Sequence, residues 1–498
     1  MLKKVLVVGV LLFCLLPTAV LAGSFGKGDP PGNTGEWYVG ITPSNGSDAN
    51  HPILFVHGLN SSSYTWWEDN DMYDTALLNG FETAFIDLYP TSDMWDNGAL
   101  LAEKLQEIYS FFGEKVVVVA HSKGGIDVQS AVIHYGAAPY VEKVITLSAP
   151  HHGSQLADLA YSSWAGWLAG ILGNKNDATY SLQTGYMANF RTVTDSITND
   201  IPFLTFGGTE RGSFGSSLYW GGLYLSSFGP NDGAVTFASS RLPYGTEVSA
   251  GAWNHYTIKQ GSSTFELFSG FLSEAGEGTE TLYKPSQLEK NEQSVQQDEQ
   301  YGFILRGGQS QGKQTESFYV EGKAEGLVVD WISDKKTSRL QLVGPDRKTY
   351  TAFSVEVDKT DYLKGAYHHR ISVPKPLPGK WSMIADTDLS QHYLLQAAID
   401  GPLNDKLNVE MGEGQFNVEA KDQVKKPTVT VKLVKYQNNQ QQAQVIQSLD
   451  QISYYRLPDL GEGVYNVTFD IQGESGGEKY ERTIVKSVFV DEEGRKYP

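Results

Sequence analysis

Residues 116–129 read V-V-V-V-A-H-S-K-G-G-I-D-V-Q, and the fold class turns on this stretch. Val116 to Val119 is a continuous β-branched run, as a strand buried on both faces requires. It leads straight into Ala120-His121-Ser122-Lys123-Gly124-Gly125, and a helical pattern follows. A serine held between a buried strand and a helix sits on a sharp turn that exposes its hydroxyl. Small residues two before and two after it, here Ala120 and Gly124, let the chain turn without clashes. The Lys123 N–H, at the start of the helix, can then face a developing oxyanion. Small-x-Ser-x-Gly alone is a common pattern. The strand before it, the glycine pair and the helix after it separate it from an ordinary strand-to-helix turn.

Outward from this turn the pattern repeats. Ile53-Leu54-Phe55-Val56, Thr83-Ala84-Phe85-Ile86, Val144-Ile145-Thr146-Leu147 and Pro202-Phe203-Leu204-Thr205-Phe206 are short apolar runs. Between two of them, Leu101, Leu105, Ile108 and Phe112 recur at helical spacing. Short buried strands separated by helices predict an α/β domain: a mostly parallel sheet flanked by helices.

A serine nucleophile needs a second oxyanion donor, a base and an acid. Phe55-Val56-His57-Gly58-Leu59-Asn60 follows an apolar strand, and the Leu59 N–H is the candidate donor. His57 is read as holding that loop rather than moving protons. Chain order in such sites runs Ser, then Asp or Glu, then His. After Ser122, His134 falls in the following helix, and His151 and His152 come too early. His368, His369 and His392 lie far downstream, which leaves His255 as the base. Asp232, in the loop Asn231-Asp232-Gly233-Ala234-Val235, would orient the imidazole and stabilise its cation. Asp195 and Asp200, before the Pro202 strand, and Asp87 are its rivals.

Composition narrows the rest. The 498 residues carry a formal net charge of −19, which disfavours nucleic acid and anionic membrane surfaces as partners. Cys14, the one cysteine, excludes disulfide scaffolds, iron–sulfur clusters and Cys-based zinc sites. Residues 1–22 combine Lys3 and Lys4, an apolar run and Ala22 preceded by Val20 at the third-last position, and are expected to be a cleaved signal peptide. An uncleaved membrane anchor is the alternative reading. A secreted protein without disulfides relies on packing alone.

The charge divides the chain. Residues 23–283 hold 27 acidic and 10 basic side chains, whereas residues 284–498 hold 31 and 27. The polar stretch 284–300 at this boundary is expected to be a linker. Beyond it, strand-like runs with recurrent turn residues predict two β-sandwich modules, 301–402 and an Ig-like 403–498. Leu377-Pro378-Gly379-Lys380-Trp381 and Leu460-Gly461-Glu462-Gly463-Val464-Tyr465 form a weak internal echo. Trp331, Trp381 and Tyr454-Tyr455 are candidates to stack on a sugar, cell-wall or polymer ligand, or else are core residues. Gly307 to Lys313 nearly matches a phosphate loop, but Gln314 stands where Ser or Thr is needed and a strand-like run follows. Glu68-Asp69-Asn70-Asp71 reads as a solvated turn, with a cation-binding cluster as the alternative.

The motifs F-V-H-G-L-N at 55–60, A-H-S-K-G-G at 120–125, S-A-P-H-H-G-S at 148–154 and N-D-G-A-V at 231–235 together resemble the secreted bacterial lipases of the α/β-hydrolase superfamily. The resemblance spans residues 50–260, and alanine two before the serine is a variant seen in a subset of them. It implies Ser122 as nucleophile, His255 as general base and acid, Asp232 as its partner, and Leu59 and Lys123 as oxyanion donors. It also implies ester hydrolysis, with lipid esters as substrate and no cofactor. Two departures stand out. Some relatives bind calcium through an aspartate two residues after the histidine, but here that residue is Thr257. Others hold zinc through histidines before the nucleophile, but none lies between His57 and His121. No metal site is therefore expected. Residues 155–173, apolar with Leu156, Leu159 and Trp164, are expected to form a lid or else a packed core helix. Phospholipases and polyester depolymerases share the same triad. A surface-binding protein with a degenerate hydrolase domain is the alternative from another class.

Overall fold

The computed structural model describes residues 32–273 and 301–498, apart from 172, 174, 361–362, 413, 422–426 and 451–453. The leader assigned to 1–22 and the linker assigned to 284–300 lie outside the described residues.

In the first half, β1 (Trp37–Val39), β2 (Ile53–Val56), β3 (Thr83–Ile86), β4 (Val116–His121), β5 (Val141–Leu147), β6 (Phe203–Gly208) and β7 (Thr246–Gly251) form one sheet in the order β1-β3-β2-β4-β5-β6-β7. β1 pairs antiparallel with β3, and the other pairs are parallel. The intervening helices are α1 (Met72–Leu78), α2 (Met94–Phe112), α3 (Lys123–His134), α4 (Gln155–Tyr161), α5 (Gly166–Ile171), α6 (Asp177–Ser181), α7 (Thr184–Thr194), α8 (Ser217–Leu225), α9 (Phe237–Ser240) and α10 (Gly261–Ser269). β4 shows why the valine run predicted a two-sided strand. Val116 and Val118 pack with Leu101, Leu105 and Ile108 of α2 on one face. Val117 and Val119 pack with Met72, Phe265 and Phe268 of α1 and α10 on the other. Full burial of each such side chain is worth about 1.5–3 kcal/mol. The Asp93 carboxylate caps α2 by accepting from the Trp95 and Asp96 N–H groups, and Gly113 at φ +78° ends that helix in a left-handed turn.

The second half is antiparallel β. β8 (Gly302–Val320), β9 (Gly326–Ser333), β10 (Arg339–Val343), β11 (Thr349–Tyr350), β12 (Ser354–Val357), β13 (Tyr367–Pro374) and β14 (Gly379–Asp400) form one sheet. β8 and β14 pair along nearly their whole length, with a register break between Thr387 and Gln391. The first part of β14 pairs with β10 and the second with β9, so the sheet folds over at the break into a half-barrel. Beyond it, β15 (Leu407–Gly412), β16 (Gln415–Ala420) and β19 (Tyr454–Arg456) form one sheet. β17 (Thr428–Gln437), β18 (Gln440–Asp450), β20 (Gly463–Ser475), β21 (Glu478–Val490) and β22 (Lys496–Tyr497) form another. Val409 and Phe416 from the first meet Val431, Val467 and Phe469 from the second in a shared core, which makes this a sandwich.

The aromatic residues considered as ligand platforms are largely internal. Trp331 and Trp381 are fully buried in the half-barrel core, and Tyr455 is buried in the sandwich, whereas Tyr454 is exposed. The internal echo has a shared geometry. Trp381 Nε1–H donates to the Leu377 carbonyl at 2.9 Å, and the Tyr465 hydroxyl donates to the Gly461 carbonyl at 2.6 Å. Each ring thus pins a turn four residues upstream. Residues 307–313 lie inside β8, so their amides serve a strand ladder and not a phosphate.

The segment expected as a lid is covered in this structure. Leu156, Ala157, Leu159, Ala160 and Tyr161 of α4 are buried. The cover is the second half. Asn466 Nδ2 donates to the Asp158 carbonyl at 2.9 Å and to Gln183 Oε1 at 3.0 Å. Trp164 Nε1 donates to Asp470 at 3.0 Å, and the Lys432 ammonium lies 3.2 Å from the Trp164 ring centroid. Gly185 of α7 lies so close to β21 that an added Cβ would sit 2.6 Å from the Phe489 nitrogen. One apolar core therefore runs from Leu59 and Leu156 through Trp220 to Phe303, Tyr436 and Phe489.

Because Trp331 is a core residue stacked on Tyr393 at 4.0 Å, Trp331→Ala is expected to cost about 3–5 kcal/mol of stability. Chemical denaturation of the full chain measures this, and an unchanged midpoint would return Trp331 to the list of ligand platforms.

Candidate active site

The site begins with a backbone that only its surroundings can enforce. Ser122 has φ +54° and ψ −133°, a conformation rare for any residue with a side chain. Its N–H donates to the Leu147 carbonyl of the neighbouring strand, and its carbonyl accepts from Gly125 N–H. Gly124 is required because a Cβ there would lie 2.3 Å from the His57 carbonyl oxygen. Gly125 packs against Ala149 with no space for a Cβ, which would approach that side chain to 2.6 Å. A Cβ on Gly58 would come within 2.8 Å of the Ser122 Cβ. The loop after β2 is thus pressed onto the serine turn.

The structure places Ser122, His255 and Asp232 in one hydrogen-bonded chain. Ser122 Oγ lies 3.0 Å from His255 Nε2, and His255 Nδ1 lies 2.7 Å from Asp232 Oδ2. All three are buried. The other Asp232 oxygen accepts from the Ala234 and Val235 N–H groups at 2.9 and 2.7 Å, which fixes the carboxylate plane. The His255 N–H also donates to the Asp232 carbonyl at 2.9 Å. This arrangement selects the tautomer with a proton on Nδ1 and leaves Nε2 as acceptor for the serine hydroxyl.

Of the two proposed oxyanion donors, Lys123 directly follows the serine and Leu59 directly follows Gly58, whose backbone is pressed against that serine. Lys123 is the first residue of α3, so its N–H has no intrahelical acceptor. Neither it nor the Leu59 N–H is taken up by a backbone carbonyl among the described residues. His57 holds the Leu59 loop: its Nδ1 donates to the Gly58 carbonyl at 2.8 Å and its Nε2 accepts from Leu88 N–H at 3.0 Å. Burial holds its pKa below the ordinary imidazole value.

The rival acids stand elsewhere. Asp87 accepts from the Ser63 N–H at 2.7 Å, and Asp195 pairs with Arg191 at 3.3 Å. His151 reaches Thr146, and His134 reaches Thr194.

Two features went unread in the sequence. The Lys123 side chain is buried and its ammonium contacts Asp127 at 2.6 Å, one helical turn along α3. Asn97 of α2 donates to the other Asp127 oxygen at 3.0 Å. Burial pushes the Asp127 carboxyl up to about 6 against the pull of Lys123. The i,i+4 spacing of Lys123 and Asp127 was a visible signal. The second feature is His121, whose ring lies against that of His255, with centroids 4.7 Å apart.

Residues 92–163 match the family model of a PGAP1-like alpha/beta domain. Among solved structures, the chain aligns with the Bacillus licheniformis lipase BlEst2 in propeptide form at 38% identity and a TM-score of 0.82, over 94% of this chain and 100% of that one. The mature form of that lipase aligns at 56% identity over 49% of this chain and 100% of its own, with a TM-score of 0.47. A metagenomic carboxyl esterase aligns at 20% identity over 46% of this chain and 70% of its own, with a TM-score of 0.37. Among curated proteins no match is found.

The close approach at Gly124 yields a test. Gly124→Ala drives a methyl into the His57 carbonyl, and displacing the turn by even an ångström is expected to lower esterase activity about a hundredfold or more. Hydrolysis of a soluble ester by the folded variant measures it, and wild-type activity would show that the turn tolerates a side chain there.

Proposed function

This chain belongs to the family of the Bacillus licheniformis lipase BlEst2, and on that premise we propose that it is an exported serine hydrolase cleaving carboxylic esters, with lipid esters as its substrates. The observation that carries the reading is the chain Ser122 Oγ, His255, Asp232 on a strained turn.

In this mechanism His255 takes the proton of Ser122 as the oxygen attacks the ester carbonyl. Asp232, already bonded to Nδ1, stabilises the imidazolium that forms. The Leu59 and Lys123 N–H groups receive the oxyanion, each worth about 2.7–4 kcal/mol in the transition state. The alcohol departs with the proton from His255, and water, activated by the same imidazole, cleaves the acyl-enzyme. Lipid esters are favoured by the apolar character beneath the cover, where Leu59 of the oxyanion loop belongs to one buried cluster with Leu156, Trp220 and Leu223.

The described chain is also read as a proform. The aligned relative is named in its propeptide form. Here the region from residue 301 onward covers α4, α7 and α8 beside the site. In this reading residues 23–283 are the enzyme, the β modules are its cover, and cleavage within 284–300 separates them. The Asn466, Asp470 and Lys432 contacts to α4 and Trp164 support it.

The test is hydrolysis of p-nitrophenyl esters from acetate to palmitate, and of emulsified triglyceride, by wild type and Ser122→Ala. Loss of activity in a folded Ser122→Ala variant, with cleavage of long chains by the wild type once its cover is cut away, is the expected result. Hydrolysis that survives the substitution would remove Ser122 from the mechanism.

A further inference from the structure

We propose that His121 is a positioning residue for His255. The inference rests on the triad reading above. The His255 backbone is held from two sides: its N–H donates to the Asp232 carbonyl at 2.9 Å, and its carbonyl lies 2.7 Å from His121 Nε2. A carbonyl only accepts, so His121 carries its proton on Nε2. The imidazole that must accept the serine proton is thereby anchored to the last residue of β4, one position before the serine. Proton acceptor and proton donor share one rigid strand end. His121 is buried, and burial together with the neighbouring His255 keeps it well below the ordinary imidazole range. It therefore stays neutral while His255 becomes a cation 4.7 Å away, centroid to centroid.

The test separates the donated N–H from the bulk of the ring. His121→Phe keeps an aromatic ring and removes the donor, whereas His121→Asn restores an N–H donor. On a soluble ester, His121→Phe is expected to lower kcat about tenfold or more, with KM and Tm close to wild type, and His121→Asn to recover part of that loss. A folded Phe variant with wild-type kcat, or an Asn variant no better than Phe, would overturn the role. Ser122→Ala measured alongside distinguishes this failure from a failure of the triad reading.

A different cluster, at the seam between the halves, carries a second inference. His368 of β13 is fully buried between two aspartates, with Nδ1 at 2.7 Å from Asp330 of β9 and Nε2 at 2.9 Å from Asp358, just after β12. Arg370 Nε donates to Asp330 at 2.9 Å and Nη1 donates to the Ser216 carbonyl at 3.0 Å. From the enzyme half, α8 contributes the uncharged Trp220 ring, stacked on His368 at 5.7 Å, and Tyr219 under Arg370. His369, the adjacent titratable group, points its Nδ1 to the Trp331 carbonyl. The segment after Asp358 reaches the site: the Tyr256 hydroxyl, next to His255, donates to the Lys359 carbonyl at 3.3 Å, and the Lys359 N–H donates to Ser217. The geometry points to His368 as an imidazolium latch that holds Asp358 to Thr360 on the rim of the active site, and to loss of its proton as a release.

Burial works to lower the His368 pKa, and the two carboxylates outweigh it and raise it from 6.5 to about 9. A raised imidazole pKa stabilises the closed state fully below about 6.5, and the contribution is lost as pH rises through about 9. The experiment compares full-length His368→Gln with full-length wild type on a small soluble ester across this range. Taking the ratio of the two removes the pH dependence of the chemistry itself. The ratio is expected to exceed about tenfold at neutral pH and to fall toward one as wild type loses the proton. Asp358→Asn, which weakens the same latch from the loop side, is expected to activate in the same direction, and decides the matter alone if His368→Gln does not fold. A ratio of one at every pH in folded variants would overturn the latch. Activation that persists in a Ser122→Ala background would instead overturn the hydrolase reading.

Discussion

Everything at the candidate site depends on one backbone constraint, the positive φ of Ser122. A non-glycine residue there costs on the order of 1–3 kcal/mol and persists only if its surroundings over-determine it. They do so here from three directions. β4 feeds the turn from the middle of a parallel sheet, α3 begins immediately after it, and the Gly58 loop is packed against the serine itself. Those contacts are possible because Gly58, Gly124 and Gly125 have no Cβ. The strain projects the hydroxyl beyond the strand end, toward His255.

The same arrangement explains why the site is stiff. Asp232 is fixed by two backbone N–H groups, His255 by bonds to both of its own peptide groups, and the Leu59 loop by His57. None of these partners is a long flexible side chain. Preorganised dipoles of this kind lower a barrier because they need no rearrangement as charge develops.

The union of the two halves follows a different logic. Their junction combines a continuous apolar core with buried charge, the Asp330, His368 and Arg370 group facing α8. Buried ionic groups add little net stability, but they are strongly destabilising when one partner is removed. An interface held in part by such groups responds to a change in a single charge, which an apolar seam does not.

What was legible in the sequence was local. The valine run, the small residues around Ser122 and the His-Gly turn each encode a short piece of backbone, and a mostly parallel sheet followed from the alternation of strands with helices. Asp232 and His255 were reached by chain order, and their loops carry Gly and Asn signals. The polar strands were harder to see. β8 through Gln309 to Gln314 and β18 through Gln440 to Gln444 are rich in glutamine and lack an apolar alternation. They are strands because β14 and β17 offer them partners. The lid segment shows the same limit. Its composition announced an apolar surface in need of cover, but not whether lipid, the sheet or the chain's own C-terminal strands would supply it. By itself the sequence determined the serine turn, the α/β class and the chemistry available at each position. Tertiary structure alone decided that His121 meets His255 across 134 residues and that Asn466 meets Asp158 across 308. Contacts at that separation are set by sheet order and by the path of the returning chain, and no local pattern of residues encodes either.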